Sequence, residues 1–249
     1  MTTPTSWQDQ IARVGATVGV QQVDVLFDQA AWHNNVVGTL EQLRPVVPWF
    51  SLFTGTPEEN LLEQAPILMR LDLTDWKHRA WLEEMVTYCA ADARLLVVIS
   101  PLSFQTLSHA LRSLSQMKWG GQDGLLRYYD PRIFPLLMSS ILTPEQQDEY
   151  RQLAFYWGWL DRDDQAQWLR GNAAGGKDSV EVSAFLELSD QQCELVGCIG
   201  DAQELLAGRQ FDHLHESREQ RFSLLYSLVL KASRENYFGD LSEYVGKAI

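Results

Sequence analysis

Three stretches carry the residue types that do chemistry. "GNAAGGK" (171–177) has G-x-x-x-x-G-K spacing, in which glycines let backbone N–H groups surround phosphates. Asp178 follows Lys177 where a Ser or Thr would hold magnesium, and Ser179 comes one place late. The preceding "QAQWLRG" makes a poor buried strand, so the segment reads as a flexible connection. "HLHE" (213–216) offers His213, His215 and a carboxylate. A transition metal needs three or four convergent ligands, and His33, His78 and His109 lie far away without a matching motif. There is no G-x-S-x-G elbow and no Ser or Cys in a local nucleophile signature. Glu58–Glu59 and Glu83–Glu84 are adjacent pairs that diverge in regular structure and read as solvated faces. The expectation is a protein without metal or cofactor, and not an enzyme.

The third stretch is "LLRYYDPRIFPLLM" (125–138). Asp130 fits a helix N-cap and Pro131 the first helical position, where a missing N–H costs nothing. Tyr128 and Tyr129 are expected to end a strand, one ring on each face. Arg132 would then stand in the first turn, where a cation opposes the helix dipole by about 0.3–1 kcal/mol. It therefore needs a carboxylate, internal or on a partner. Pro135 could not bond back to residue 131, which a first turn of 3₁₀ type or a restart at Pro135 would resolve. The competing reading is a hydrolase with a dispersed acidic site around Asp130 and the tyrosines. That reading requires a deep polar pocket and a carboxyl of raised pKa.

Alternating elements must position this stretch. "VDVLFD" (23–28), "APILMRLDL" (65–73), "RLLVVIS" (94–100) and "GLLRYY" (124–129) read as strands, and "VVPWFSLF" (46–53) as extended chain. Helices follow from Asp75 to Ala91, with Trp76, Leu82, Met85 and Cys89 inward, and from the cap Ser103, with Leu107, Leu111 and Leu114 on one side. "TPEQ" (143–146) predicts another helix, with a Thr cap and Gln at its third position. "AFYWGWL" and "QAQWLRG" flank the turn-rich "DRDD" as a hairpin. "SDQQ" (189–192) caps a helix to about Ala207, and helices near 215–236 and 240–247 close the chain. The class is α/β: a largely parallel or mixed sheet flanked by helices over residues 1–175, then a smaller, mainly helical lobe over 176–249.

Of 249 residues, 45% are hydrophobic and 21% charged, ordinary globular values. Residues 1–160 carry 17 acids and 11 bases, a net of −6, and residues 161–249 carry 16 and 9, a net of −7, which together give −13. No segment collects the cations that a phosphate backbone requires, and an acidic membrane surface would repel the chain. Nucleic-acid and membrane partners are thus excluded in favour of protein. Nine tryptophans exceed the needs of one core, and Trp157 and Trp159 on the hairpin are the candidate partner-binding aromatics. Cys89, Cys193 and Cys198 lack C-x-x-C spacing and read as small hydrophobes. With no basic leader and no long apolar run, the chain is expected to be soluble and cytosolic.

The order of signals resembles one family. A strand, "SPLS", an amphipathic helix, "RYYDPRIF", "LTPEQ" and a tryptophan-rich hairpin succeed one another. This is similar to the type VI secretion effector chaperones, also called adaptors (domain of unknown function 4123). The matching residues are Val25 to Ala30, Tyr129 to Arg132, Thr143 to Gln146 and "SLFTGTPEENLLEQAPILMRL" (51–71). The likeness covers about residues 23–170; the tail matches only in its helical character, and Pro135 departs from the pattern. The resemblance implies a non-enzymatic protein that binds a cognate effector in the bacterial cytosol, often by the effector's N-terminal region. It would keep that effector soluble and help load it onto the VgrG spike. The family motif Tyr129, Asp130, Pro131 and Arg132 is expected to be structural or partner-binding.

Overall fold

A computed structural model describes residues 4–31, 36–90, 94–175, 180–214 and 217–249. Two compact units divide the chain, Met1–Glu187 and Leu188–Ile249.

The first unit begins with helix α1 (Pro4–Thr17), strand β1 (Gln22–Asp28), helix α2 (Val36–Gln42) and strand β2 (Trp49–Ser51). It continues through β3 (Pro66–Asp72), α3 (Trp76–Ala90), β4 (Leu95–Ile99) and α4 (Phe104–Ser115). Next come the β5 (Gln116–Trp119) and β6 (Gln122–Leu125) hairpin, then α5 (Phe134–Leu136), which runs into a π turn over Leu137–Ile141. Helix α6 (Pro144–Arg151) and strands β7 (Tyr156–Leu160), β8 (Ala166–Arg170) and β9 (Leu186–Glu187) complete it.

The α/β class is borne out. Six strands form one sheet in the order β2-β3-β1-β4-β7-β8, and every neighbouring pair is antiparallel. The sequence pattern that pointed to parallel pairing has a physical counterpart. Strands β3 and β4, joined through α3, do run parallel, but β1 lies between them and opposes both. A parallel pair occurs in the second sheet, β6-β5-β9, where Met117 faces Leu186. That pairing ties residues 186–187 to the first unit.

Strands β1 and β4 are buried along nearly their whole length, as expected of strands covered on both faces. On one face, Val23, Val25, Phe27, Ile67, Met69, Val97 and Ile99 pack with Trp7 and Ile11 of α1 and Leu82 and Val86 of α3. On the other, Asp24 and Arg70 pair across β1 and β3 by a two-bond fork, 2.7 Å at each oxygen. Burial raises the Asp24 carboxyl above its ordinary value against the pull of Arg70. Trp76 departs from expectation: it is 68% exposed. The inward face of α3 is set by Leu82, Met85 and Val86. A residue six places before Leu82 stands about 120° around the helix from it.

The second unit contains α7 (Asp190–Ala207), α8 (Arg218–Arg234) and α9 (Leu241–Ala248). Ser189 and Gln192 form the expected capping box of α7. Its buried face holds Cys198, Ile199, Ala202 and Leu205, and that of α8 holds Phe222, Leu225, Val229 and Ala232. The mainly helical character of this region is as expected. Among the described residues, no helix is long and apolar enough to cross a membrane.

Candidate functional site

The Tyr129–Arg132 motif is not at a strand end. Strand β6 stops at Leu125, and the chain then turns, with Tyr128 N–H on the Leu126 carbonyl and Asp130 N–H on that of Arg127. Tyr128 and Tyr129 are both buried, their rings edge to face at 5.8 Å. The Tyr128 hydroxyl donates to the Leu111 carbonyl at 2.9 Å. Burial pushes the Tyr128 and Tyr129 phenols far above their ordinary range, and the nearby Asp28 carboxylate adds to the shift at Tyr129.

Asp130 caps a single turn, not the first turn of a regular helix. Its Oδ1 accepts the Arg132 backbone N–H at 2.9 Å, and its carbonyl accepts from Ile133 and Phe134. The helix restarts at Phe134 with Pro135 in its first turn, where no N–H is missed. This is the restart that Pro135 required.

The carboxylate that Arg132 needs is internal, and it is Asp130. Arg132 Nε reaches Oδ1 at 2.9 Å and Nη2 reaches Oδ2 at 2.7 Å. Arg127 stands 3.7 Å from the same Oδ2 and binds Asp28 Oδ2 at 2.8 Å. Asp28 also accepts the Ala30 N–H. The alternating chain Asp28–Arg127–Asp130–Arg132 thus ties the end of β1 to the segment before α5. Arg162 adds a bond to the Arg132 carbonyl at 3.1 Å. Burial of Asp130 alone would raise its carboxyl, but hydrogen bonds from Arg132 and the charges of Arg132 and Arg127 outweigh it and hold the group below its ordinary value. A hydrolytic acid at Asp130 would need the opposite shift and a free oxygen.

Trp157 and Trp159 do not stand on the surface. They are 0% and 8% exposed, and the Phe134 ring packs against both at 5.1 and 5.7 Å. Both face the same side of the sheet as their cross-strand partners Val98 and Leu96. Their surface-anchor reading is therefore corrected: they join the family motif to the sheet as core. Trp157 also meets Tyr150, whose hydroxyl binds the Leu114 carbonyl.

The glycine-rich stretch is committed to the fold at its start. The N–H groups of Gly171, Asn172 and Ala173 donate to the carbonyls of Phe155, Arg151 and Ala154. A Cβ on Gly171 would sit 1.9 Å from the Ala154 carbonyl oxygen. Those three donors are spent on protein rather than facing a phosphate. Lys177 lies outside the described residues, as do His33, His215 and Glu216. Among the described residues, no three His, Cys, Asp or Glu side chains are placed to hold a metal ion.

One feature escaped the sequence reading: an apolar groove between α2 and α3, with a cavity of 210 Å³. Phe27 of β1 and Met69 of β3 lie at its floor. Val36, Leu40 and Leu43 line it from the α2 side, spaced i, i+4, i+7, with the exposed Thr39 among them. Trp81, Met85 and Tyr88 repeat that spacing from α3, with the exposed Glu84 among them. The Trp81 ring is held by stacking on His78 at 5.2 Å. His78 in turn accepts the Asp72 N–H at 2.8 Å. The i, i+4, i+7 signal in "VVGTLEQL" was available, but α2 spans two turns and contains Gly38, too little for periodicity to show.

A family model described as "Domain of unknown function (DUF4123)" matches residues 25–149, half of the chain. The motif and the groove both fall inside that span. No curated protein and no solved structure matches.

Proposed function

The chain belongs to the DUF4123 family, and from that premise we propose that it is a non-enzymatic chaperone or adaptor. In this reading it binds a cognate type VI secretion effector in the cytosol, by the effector's N-terminal region, and helps load it onto the VgrG spike. The observation that carries the proposal is the contrast between the two features of the matched region. The polar groups of the motif are spent on one another, whereas the groove, floored by buried apolar side chains, keeps Leu43 and Trp81 half-buried and Tyr88 exposed at its rim. Apolar surface of that kind serves a protein partner better than a reaction. Asp130 does not favour the hydrolytic alternative, since both its oxygens are bonded and its carboxyl is held low.

The test is co-expression of the tagged chain with the products of neighbouring genes, followed by affinity capture. An effector or a VgrG protein should co-purify in stoichiometric amount. Capture of neither across the whole native cluster would remove the proposal.

A further inference from the structure

Resting on that reading, we infer that the groove between α2 and α3 takes one amphipathic helix of the partner, its apolar stripe inward and a lysine or arginine beside Glu84. The size fits an anchor side chain: 210 Å³ exceeds the ~150 Å³ that an apolar cavity needs to hold a benzene ring. The walls fit a helix. Trp81 and Tyr88 of α3 and Leu43, just past α2, form the groove's accessible apolar rim over the buried Val36, Leu40 and Met85. Trp81 to Tyr88 extends about 10 Å along α3, the length of two turns of a guest.

Backbone chemistry selects a helix over an extended segment. The strands at the floor, β1 and β3, are both interior to the sheet, each paired on two sides. The groove therefore offers no sheet edge, and an extended guest would bury N–H and C=O groups without partners. A helix satisfies its own backbone and presents only side chains.

Charge selects the sign of the guest. Among the described residues, Glu84 is the one charged residue lining the groove. Neither it nor Glu83 makes a side-chain hydrogen bond or ion pair among the described residues. The places on α3 that could neutralise Glu84, three and four residues away, are Ala80, Trp81, Thr87 and Tyr88. Glu84 and Tyr88 also form the wall of an adjoining depression lined by Ala80, Glu83 and Thr87. A guest lying in the groove thus meets Glu84, with Glu83 in the depression beside it, on a chain of net charge −13. Covering Glu84 with an uncharged guest would desolvate an unpaired carboxylate, a cost that a guest cation removes.

The test uses the full chain and three labelled synthetic peptides followed by fluorescence anisotropy. One is an amphipathic leucine–lysine helix, one has the same order with glutamate for lysine, and one is the leucine–lysine composition scrambled. The ordered leucine–lysine helix should bind about tenfold tighter than either of the others. Thr39→Arg, which places a long cation across the groove from an exposed position, should abolish that preference in a chain that still unfolds cooperatively on heating. Glu84→Lys should reverse it in favour of the glutamate peptide. Equal binding of the ordered and scrambled peptides, or indifference to both substitutions, would overturn the inference. So would a Thr39→Arg chain that still captures its effector, which would leave the chaperone reading standing. Sedimentation adds one more outcome: self-association of the wild type that Thr39→Arg abolishes would give the groove to a second copy, against the inference. If the wild type captures no effector or spike protein yet passes the peptide test, the chaperone reading falls and the groove assignment stands.

Discussion

Replacing Arg132 with alanine would leave the buried Asp130 carboxylate with one backbone N–H and with Arg127 at 3.7 Å. Asp130 is 3% exposed in the native fold, so losing the fork leaves a largely desolvated carboxylate short of partners. Breaking such a pair should cost about 2–4 kcal/mol, read as a lower urea midpoint at unchanged slope. Arg132→Lys should recover only part of it, because an ammonium cannot make both bonds of the fork. The sign of the pH dependence follows from the lowered pKa. A carboxyl held below its unfolded value contributes stability above that value, 3.8, and loses it as pH falls through the folded pKa. The gap between wild type and Arg132→Ala should therefore be widest near neutrality and shrink under acid. A gap that stays constant down to pH 3 would show that the fork is not an ionic contact. The charge opposing the helix dipole made the need of Arg132 legible in the sequence. That Asp130 meets it depends on a turn that only the fold supplies. The burial of Trp157 and Trp159 was illegible for a different reason: indole suits a core and an interface equally, and Phe134, which covers both rings, is more than twenty residues away.

At the scale of elements, the β7–β8 hairpin rests on one close approach. Gly158 faces Trp168 across the pair, and a Cβ on Gly158 would stand 2.6 Å from the indole ring. The ring covers the bare backbone and meets Tyr156 edge to face at 6.4 Å. Gly158→Ala should thus cost about 1–3 kcal/mol through overpacking, seen as a fall in denaturation midpoint. The same change in a Trp168→Val background should cost less, because the clash is gone. Additive losses in the double mutant would show that the two residues are not coupled. This hairpin was readable from its turn residues and alternating aromatics, as were the caps Ser103, Thr143 and Ser189, each of which accepts the N–H three residues on. Strand direction was not, because β1 intervenes between the two strands that α3 connects. Helix α2 was missed as well, because seven residues give too few apolar positions for a period to emerge.

At the scale of the molecule, all nine tryptophans precede residue 170, so none lies in Leu188–Ile249. Tryptophan emission therefore reports on the first unit alone, while far-UV circular dichroism also reports α7, α8 and α9. The first unit contains its own two-faced sheet, a core reaching from Trp7 to Leu160, and the whole of the groove. A core of its own is what a unit needs to fold alone, and truncation tests whether this one suffices. A chain ending at Glu187 should keep blue-shifted tryptophan emission and a cooperative urea transition. It should also bind the leucine–lysine helix with the affinity of the full chain, since the groove residues run from Phe27 to Tyr88. If the truncated chain folds but binds the peptide tenfold more weakly, residues beyond 187 contribute to the site and the groove is only part of it. If it does not fold, the second unit is required for the stability of the first. Full binding by the truncated chain would leave α7 to α9 free for a second contact, the arrangement an adaptor needs to hold its cargo and the spike at once.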